Sequence, residues 1–304
     1  MKTTVSFGFT EQTSWNIGEN ALPKTILDSL KNDWPGKSND CSVSVDGAFN
    51  DEAIQEAIRR VARIGKIPKL KYFPGFGKNY DGPHFRIRGK RVYDRTDAEA
   101  FVYFIFYPTD ELANEEIYRL PDGTREKYID GKKIFKRHSF GFAGPFNWAC
   151  KSSARAELEA ERFVGLTFDE MPQKPVSKPY EPIFRLVSSL TLPPVLNPLY
   201  NEDGELCHGD FSRGCVPDNS IISGLPFYYG QAAIRAMEPF DCAWSAEAFG
   251  GIHWRNRSFV VSKRFLEYCW SRGWHCDFVP VILRPDGVAP PLEPLFPWLE
   301  NATS

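Results

Sequence analysis

The stretch SKRFLEYCWSRGWHCDFVPV, residues Ser262 to Val281, decides how this chain is read. Ser262 is placed to cap a helix over Lys263–Arg272, because a serine hydroxyl accepts from the free backbone N–H groups of a first turn. Phe265, Leu266, Cys269 and Trp270 share one side of that helix. Gly273 stands where the chain leaves it, and the apolar run Cys276–Leu283 follows as a strand. About a hundred residues earlier, SARAELEAERFVGLTFDEM, Ser153 to Met171, repeats the arrangement. Ser153 is the expected cap there, Gly165 the helix exit, and Phe168 the strand residue. Arg155 to Phe168 spans thirteen residues and Arg264 to Phe278 fourteen. A repeated strand–helix–strand ending implies two related modules.

The rest of the chain is apportioned around those blocks. Met171 to Pro182 carries four prolines in twelve residues, which excludes helix and marks a connector. The expected organisation is an α+β fold of two related modules, each with a mostly antiparallel sheet and a closing strand–helix–strand unit. Residues 1–172 form the first module, 173–182 the Pro-rich linker and 183–304 the second. At 304 residues each module can bury a core of its own. Within the first, strands are expected at Thr3–Phe9, His84–Ile87, Arg91–Tyr93 and Phe101–Tyr107, with helices at Lys24–Asn32 and Asp51–Ile64. Ile54, Ile58, Val61 and Ala62 line one face of that second helix. Pro121-Asp-Gly123 and Asp130-Gly131 read as hairpin turns. In the second module, strands are expected near Asp241–Ala248 and Ser258–Val261, after a long irregular stretch from Pro193 to Ser220.

Charge and cysteine usage narrow the class of protein. The net charge is only −2, but residues 1–177 carry +2 and the remainder −4. Arg59 to Arg95 gathers twelve basic residues against two acidic ones, the main charge concentration in the chain. Seven cysteines without tight pairing, no apolar leader and no long apolar run point to a cytoplasmic protein with reduced thiols.

Each candidate site competes with a plainer explanation. Cys207, His208 and Cys215 are a low-weight metal half-site that Cys242, His275 or Cys276 would have to complete, at a spacing too wide for a zinc knuckle. No cofactor is expected. The five histidines, at 84, 138, 208, 253 and 275, stand singly. His138 or His253 could serve as a general base, although no acid partner is visible in sequence. Lys69, Lys71, Tyr72, Phe76, Lys78, Tyr80, Arg86 and Arg88 interleave cations with rings, as a nucleic-acid groove would. Glu202, Asp203, Glu205, Asp210 and Asp218 make the second loop acidic. Glu159-Ala-Glu161, beside Ser152 and Ser153, is similar to the Glu-x-Glu and serine elements of ADP-ribosyltransferases, but inside a helix it reads as a solvated face.

The order from Phe259-Val-Val-Ser262-Lys-Arg264-Phe265 through Gly273 to Phe278-Val-Pro280-Val281 resembles the closing segment of bacterial immunity proteins encoded beside polymorphic toxins. It is most similar to the two-module double-CxxCG paralogues. In those, a block like Arg155…Phe163-Val-Gly165-Leu166-Thr-Phe168 ends the first module. Asp241-Cys-Ala-Trp-Ser-Ala-Glu247 fits the acidic, aromatic strand that precedes the last helix. No CxxC occurs in this chain, so the metal knuckle of that group does not carry over. The resemblance implies a non-enzymatic cytoplasmic protein that binds and blocks one toxin or effector domain, delivered by contact or a type VI apparatus. The acidic loop would face a basic toxin, and the basic-aromatic segment an acidic one. The alternative is a nucleic-acid-binding protein or enzyme using residues 59–95.

Overall fold

A computed structural model describes residues 2–14, 20–48, 51–69, 84–86, 88–119, 125–129, 134–144, 147–173, 181–200, 206–207, 216–217, 222–223, 226–237, 239–249 and 256–289. In chain order the elements begin β1 (Lys2–Glu11), β2 (Ala21–Leu22), α1 (Lys24–Lys31), β3 (Lys37–Asn39), β4 (Ser42–Ala48), α2 (Glu52–Arg63), β5 (Ile67–Lys69), β6 (His84–Arg86) and β7 (Arg88–Val92). They continue with β8 (Tyr103–Pro108), β9 (Glu111–Ala113), β10 (Glu115–Arg119), β11 (Arg125–Ile129), β12 (Phe140–Ala143), β13 (Trp148–Lys151), α3 (Ser152–Ala160), β14 (Leu166–Glu170) and β15 (Ile183–Ser188). Last come β16 (Leu199–Tyr200), β17 (Val216–Pro217), β18 (Ile222–Ser223), β19 (Phe227–Gly230), α4 (Gln231–Arg235), β20 (Cys242–Phe249), β21 (Asn256–Ser262), α5 (Lys263–Ser271) and β22 (Cys276–Arg284). The architecture is α+β.

Alternation decides the first sheet. Phe7 and Phe9 on β1 face inward opposite Val45 and Val43 on β4, and meet Leu27 and Leu30 of α1 and Ile54, Ile58 and Val61 of α2. Asp51 caps α2, its Oδ1 accepting the Ala53 N–H at 3.0 Å. The strand order is β18-β7-β1-β4-β3, with β2 parallel to β1.

The two repeat blocks build the other large sheets, and they do so alike. One sheet has the order β14-β15-β13-β12-β9 and the other β19-β22-β8-β21-β20. In each, a hairpin (β12-β13, β20-β21) leads into a helix (α3, α5) and a strand (β14, β22) parallel to the hairpin's second member. An antiparallel strand lies between the two. That central strand is β15 in the first unit and β8 in the second. Strand pairing therefore runs across residues 173–182: β15 follows them yet completes the earlier unit, and β8 precedes them yet centres the later one. Phe104 and Phe106 of β8 join the core under α3 and α5, while Tyr103 and Ile105 pack into the core on the opposite face of the sheet.

The helices begin and end differently from one another. Ser262 caps α5 as expected, its Oγ accepting the Phe265 N–H at 3.2 Å. Ser153 does not cap α3, which starts at Ser152 behind Lys151 and has no side-chain cap. Gly273 closes α5 in the left-handed region at φ +71°, with its N–H on Trp270 O and the Trp274 N–H on Cys269 O, both at 3.0 Å. In α3 the left-handed exit falls on Arg162, φ +55°. Gly165, the expected exit, serves another purpose. At φ +89° a Cβ there would overlap the Cys242 carbonyl oxygen and lie 2.9 Å from Leu190 Cδ1, so glycine lets this turn lie against β20. The strands expected after it are present, as is the β10–β11 hairpin around Pro121–Gly123. Asp130-Gly131 lies outside the described residues; on either side of it Ile129 bridges Gln173, and β12 pairs with β13 and β9.

Candidate functional site

The two units are joined by Asp241, a nearly buried carboxylate just before β20. Its Oδ1 accepts from Ser262 Oγ at 2.6 Å, and its Oδ2 accepts from the Val164 N–H at 2.9 Å and from Arg264 Nη1 at 2.8 Å. Val164 belongs to the turn after α3 and Arg264 to α5, so one side chain binds both repeats. The Arg264 guanidinium also lies over the Phe163 ring, 4.5 Å from its centroid. Arg155, which the sequence matches to Arg264, instead pairs with Glu159 at 2.8 Å and lies over Phe184. Glu159 is thus a helix-face ion-pair member, as its position in α3 implied.

A second convergence sits where β8 passes into β9. Thr109 and Asp110 make that crossing between the two sheets, held by the Thr109 N–H on His275 O at 3.0 Å and the Phe142 N–H on Asp110 O at 2.8 Å. The Asp110 carboxylate lies between two imidazoles. His138 Nδ1 is 3.2 Å from Oδ2, and His275 Nδ1 is 3.1 Å from the same oxygen. Arg137 Nε donates to His138 Nε2 at 2.6 Å, which fixes the neutral His138 ring with its proton on Nδ1, directed at Asp110. His138 and His275, which stand singly in sequence, therefore share an acid. The His275 side chain is 73% exposed, so this is a surface cluster and not a closed pocket. An imidazole held through Nδ1 is oriented as a base would be. Among the described residues, no hydrogen bond joins either ring to a Ser, Thr or Cys side chain. Just behind it, buried Lys151 donates from Nζ to Phe135 O at 3.1 Å and tethers the segment that carries His138.

Of the metal half-site, only Cys207 falls among the described residues. Cys207 packs against the core that contains Tyr229 and Val260, whereas Cys242 and Cys276 belong to the core under α5, on the other face of the same sheet. His275 is turned to Asp110. No group of three or more His, Cys, Asp or Glu among the described residues is arranged to hold a metal. His208 and Cys215 lie outside the described residues, as does His253.

The two charged segments are bounded by described strands. Residues 70–83, with Lys71, Tyr72, Phe76, Lys78 and Tyr80, lie outside the described residues, but they run between β5 and β6, which pair in parallel from Ile67↔His84 to Lys69↔Arg86. Arg88 opens β7. Glu202, Asp203, Glu205, Asp210 and Asp218 also lie outside the described residues, and the first four fall between β16 and β17, which pair as Leu199↔Pro217 and Tyr200↔Val216. Close after each segment comes a strand of the first sheet, β7 and β18, and these two are neighbours: Ile222 pairs with Gly89 and Ser223 with Lys90. Sequence reasoning placed the segments on separate modules, because a two-strand contact between residues so far apart leaves no local signature. On the face of that sheet away from α1 and α2, Ser6, Gly8, Thr10, Ser42 and Ser44 help line a shallow trough of about 410 Å³. At the basic end of α2, Arg59 and Arg60 both bind Glu56, at 3.0 and 2.9 Å.

Asp110, Lys151 and Asp241 as linchpins were missed from sequence. Asp241 had a faint signal, a carboxylate just before an apolar strand; Asp110 had none, since its partners come from two distant turns. Comparison with protein-family models, with curated proteins and with solved structures returns no match. Among the described residues no helix is long and apolar enough to cross a membrane.

Proposed function

We propose that this chain is a non-enzymatic binding protein that neutralises a cognate toxin or effector domain by covering it, in the manner of the immunity proteins its closing segment resembles. The observation that carries this reading is the parallel pairing of β18 with β7. It brings the strands that follow the acidic and the basic-aromatic segments side by side on one sheet. A contact surface with both signs of charge selects a partner of complementary pattern and speeds the encounter, while aromatic and Arg anchors supply most of the affinity. The Asp241 hub fixes one duplicated unit against the other.

The test is co-expression with the toxic domain encoded by the neighbouring gene. Growth rescue together with a one-to-one complex on sizing is the expected result. Reversal of Glu202, Asp203 and Glu205 to Lys, and separately of Lys69, Lys71 and Lys78 to Glu, should each weaken that complex. A complex that tolerates both reversals places the contact elsewhere. Binding to generic DNA or RNA that falls steeply with salt would favour nucleic acid as the partner of the basic segment instead.

A further inference from the structure

We propose that the free edge of β14 is a docking surface that takes an extended, basic segment of another protein as an added strand. Strand β14 is the outermost of its sheet, and among the described residues nothing pairs with its other side from Leu166 to Glu170. Its antiparallel register with β15 is held at the ends by Ser189 N–H on Gly165 O at 3.2 Å and Met171 N–H on Ile183 O at 2.8 Å. Alternation then turns the backbone groups of Thr167 and Asp169 towards β15, and the N–H and C=O of Phe168 and Glu170 to the open side. This surface lies on a different sheet from β7 and β18 and does not depend on the toxin reading.

The later unit shows the same edge closed. Thr109 N–H on His275 O, at 3.0 Å, sets the matching alternation in β22, so Pro280 falls on the outer side, where it has no N–H to offer. From Val281 onward β19 pairs with that edge in parallel, as far as Gly230↔Arg284. With Phe168 matched to Phe278, Glu170 stands where Pro280 does and keeps its N–H. A single bridge, Ile129↔Gln173, takes the place of β19. The fold therefore accepts a strand on the outer side of its closing strand, and β14 retains a donor that β22 lacks.

The side chains beside the edge define the occupant. A groove of about 280 Å³ lies between the end of α3 and β14, lined in part by Leu158, Arg162, Phe163, Leu166 and Phe168. An added strand places the residue opposite Phe168 on Phe168's own face, where an apolar side chain fills the groove. Asp169 meets Arg185 at 2.8 Å, whereas Glu170 is exposed and has no ion-pair partner among the described residues. A lysine or arginine on the incoming strand complements it, since opposite charges across a strand pair stabilise and like charges do not. A second copy of this chain, pairing β14 with β14, would bring another Asp169 and Glu170 to the edge and is disfavoured.

The test is fluorescence anisotropy of the full chain with two labelled peptides, one of alternating Lys and Leu and one of alternating Glu and Leu. The Lys–Leu peptide is expected to bind the more tightly. Glu170→Pro, which copies Pro280, should weaken it by about tenfold and leave the melting temperature unchanged. Glu170→Lys keeps the N–H and should erase the preference between the peptides; it carries the test if the proline variant does not fold. Amide hydrogen exchange at Phe168 and Glu170 should slow when the Lys–Leu peptide is bound. Equal binding of the two peptides by the parent chain, binding indifferent to both variants, or protection confined to another strand would overturn the proposal. So would a dimer of the parent chain that Glu170→Pro abolishes, which would make the occupant a second copy.

Discussion

Asp241 Oδ2 and Arg264 Nη1 meet at 2.8 Å within the second unit, at the seam where the same oxygen accepts the Val164 N–H of the first. The carboxylate side chain is 9% exposed and the guanidinium 51%, so the two partners are not equivalent. Asp241→Ala removes the acceptor for the Ser262 hydroxyl and the Val164 N–H as well, and is expected to cost about 3 kcal/mol in chemical denaturation. Arg264→Ala should cost less, and a double-mutant cycle should give a coupling of about 1 kcal/mol, because water screens the exposed cation. Purely additive losses would show that the two side chains do not act together at the seam.

Gly165 and Gly273 are matched in the sequence repeat, yet their substitutions should differ widely. Gly273→Ala meets open space and incurs only the left-handed backbone cost, about 1 kcal/mol. Gly165→Ala adds a collision with the Cys242 carbonyl and is expected to cost on the order of 3 kcal/mol or to block folding. Equal effects in thermal denaturation would refute the packing role given to Gly165.

Arg162 holds φ +55° without being glycine. Arg162→Gly should therefore raise stability by about 0.5–1 kcal/mol, since the left-handed strain outweighs the added chain entropy. A loss in denaturant midpoint would mean that the arginine side chain supplies more than its backbone costs.

Glu247 is fully buried on β20, with Oε1 accepting the Val195 N–H at 2.7 Å and Oε2 unpartnered among the described residues. Burial raises its pKa, against the smaller opposing pull of the Val195 N–H and the Arg257 charge. The folded state then binds the proton more tightly than the unfolded chain. This contribution is fully present below the unfolded carboxylate pKa and is lost as pH rises through the higher folded value. Glu247→Gln should melt higher than the parent at neutral pH, with the advantage shrinking in mild acid. A gap that widens on acidification would contradict the sign.

Residues 183–304 produced alone lack β8, the central strand of their largest sheet, and should not fold. Supplying residues 1–182 on a second chain should restore native circular dichroism. Independent folding of the shorter piece would show that β8 is dispensable.

Local chemistry was legible in the sequence, and long-range partnership was not. The α2 helix, the α5 helix with its Ser262 cap and Gly273 exit, and the apolar strand at Tyr103–Pro108 all follow from periodicity and capping within a few residues. Phe101–Tyr107 announced a buried strand but not which sheet it would enter, because every large sheet here offers an apolar centre. The proline-rich segment looked like a boundary for the same reason: composition reports chain stiffness, not which strands pair around it. The Asp110 cluster was unreadable, since its two imidazoles reach the acid from turns that only the finished fold brings together. The Asp241 hub was half readable, because Ser262 and Arg264 were already marked as a pair.

The placement of β8 bears on synthesis. A ribosome releases Tyr103–Pro108, an almost wholly apolar hexapeptide, well before its two partners β21 and β22 exist. During that interval the nascent polypeptide carries an unpaired aromatic strand, the sort of segment that chaperones bind and that associates with its like. The earlier unit has no such delay, since β15 emerges soon after β14. Maturation of this protein should therefore be governed by the late arrival of its last strand–helix–strand ending.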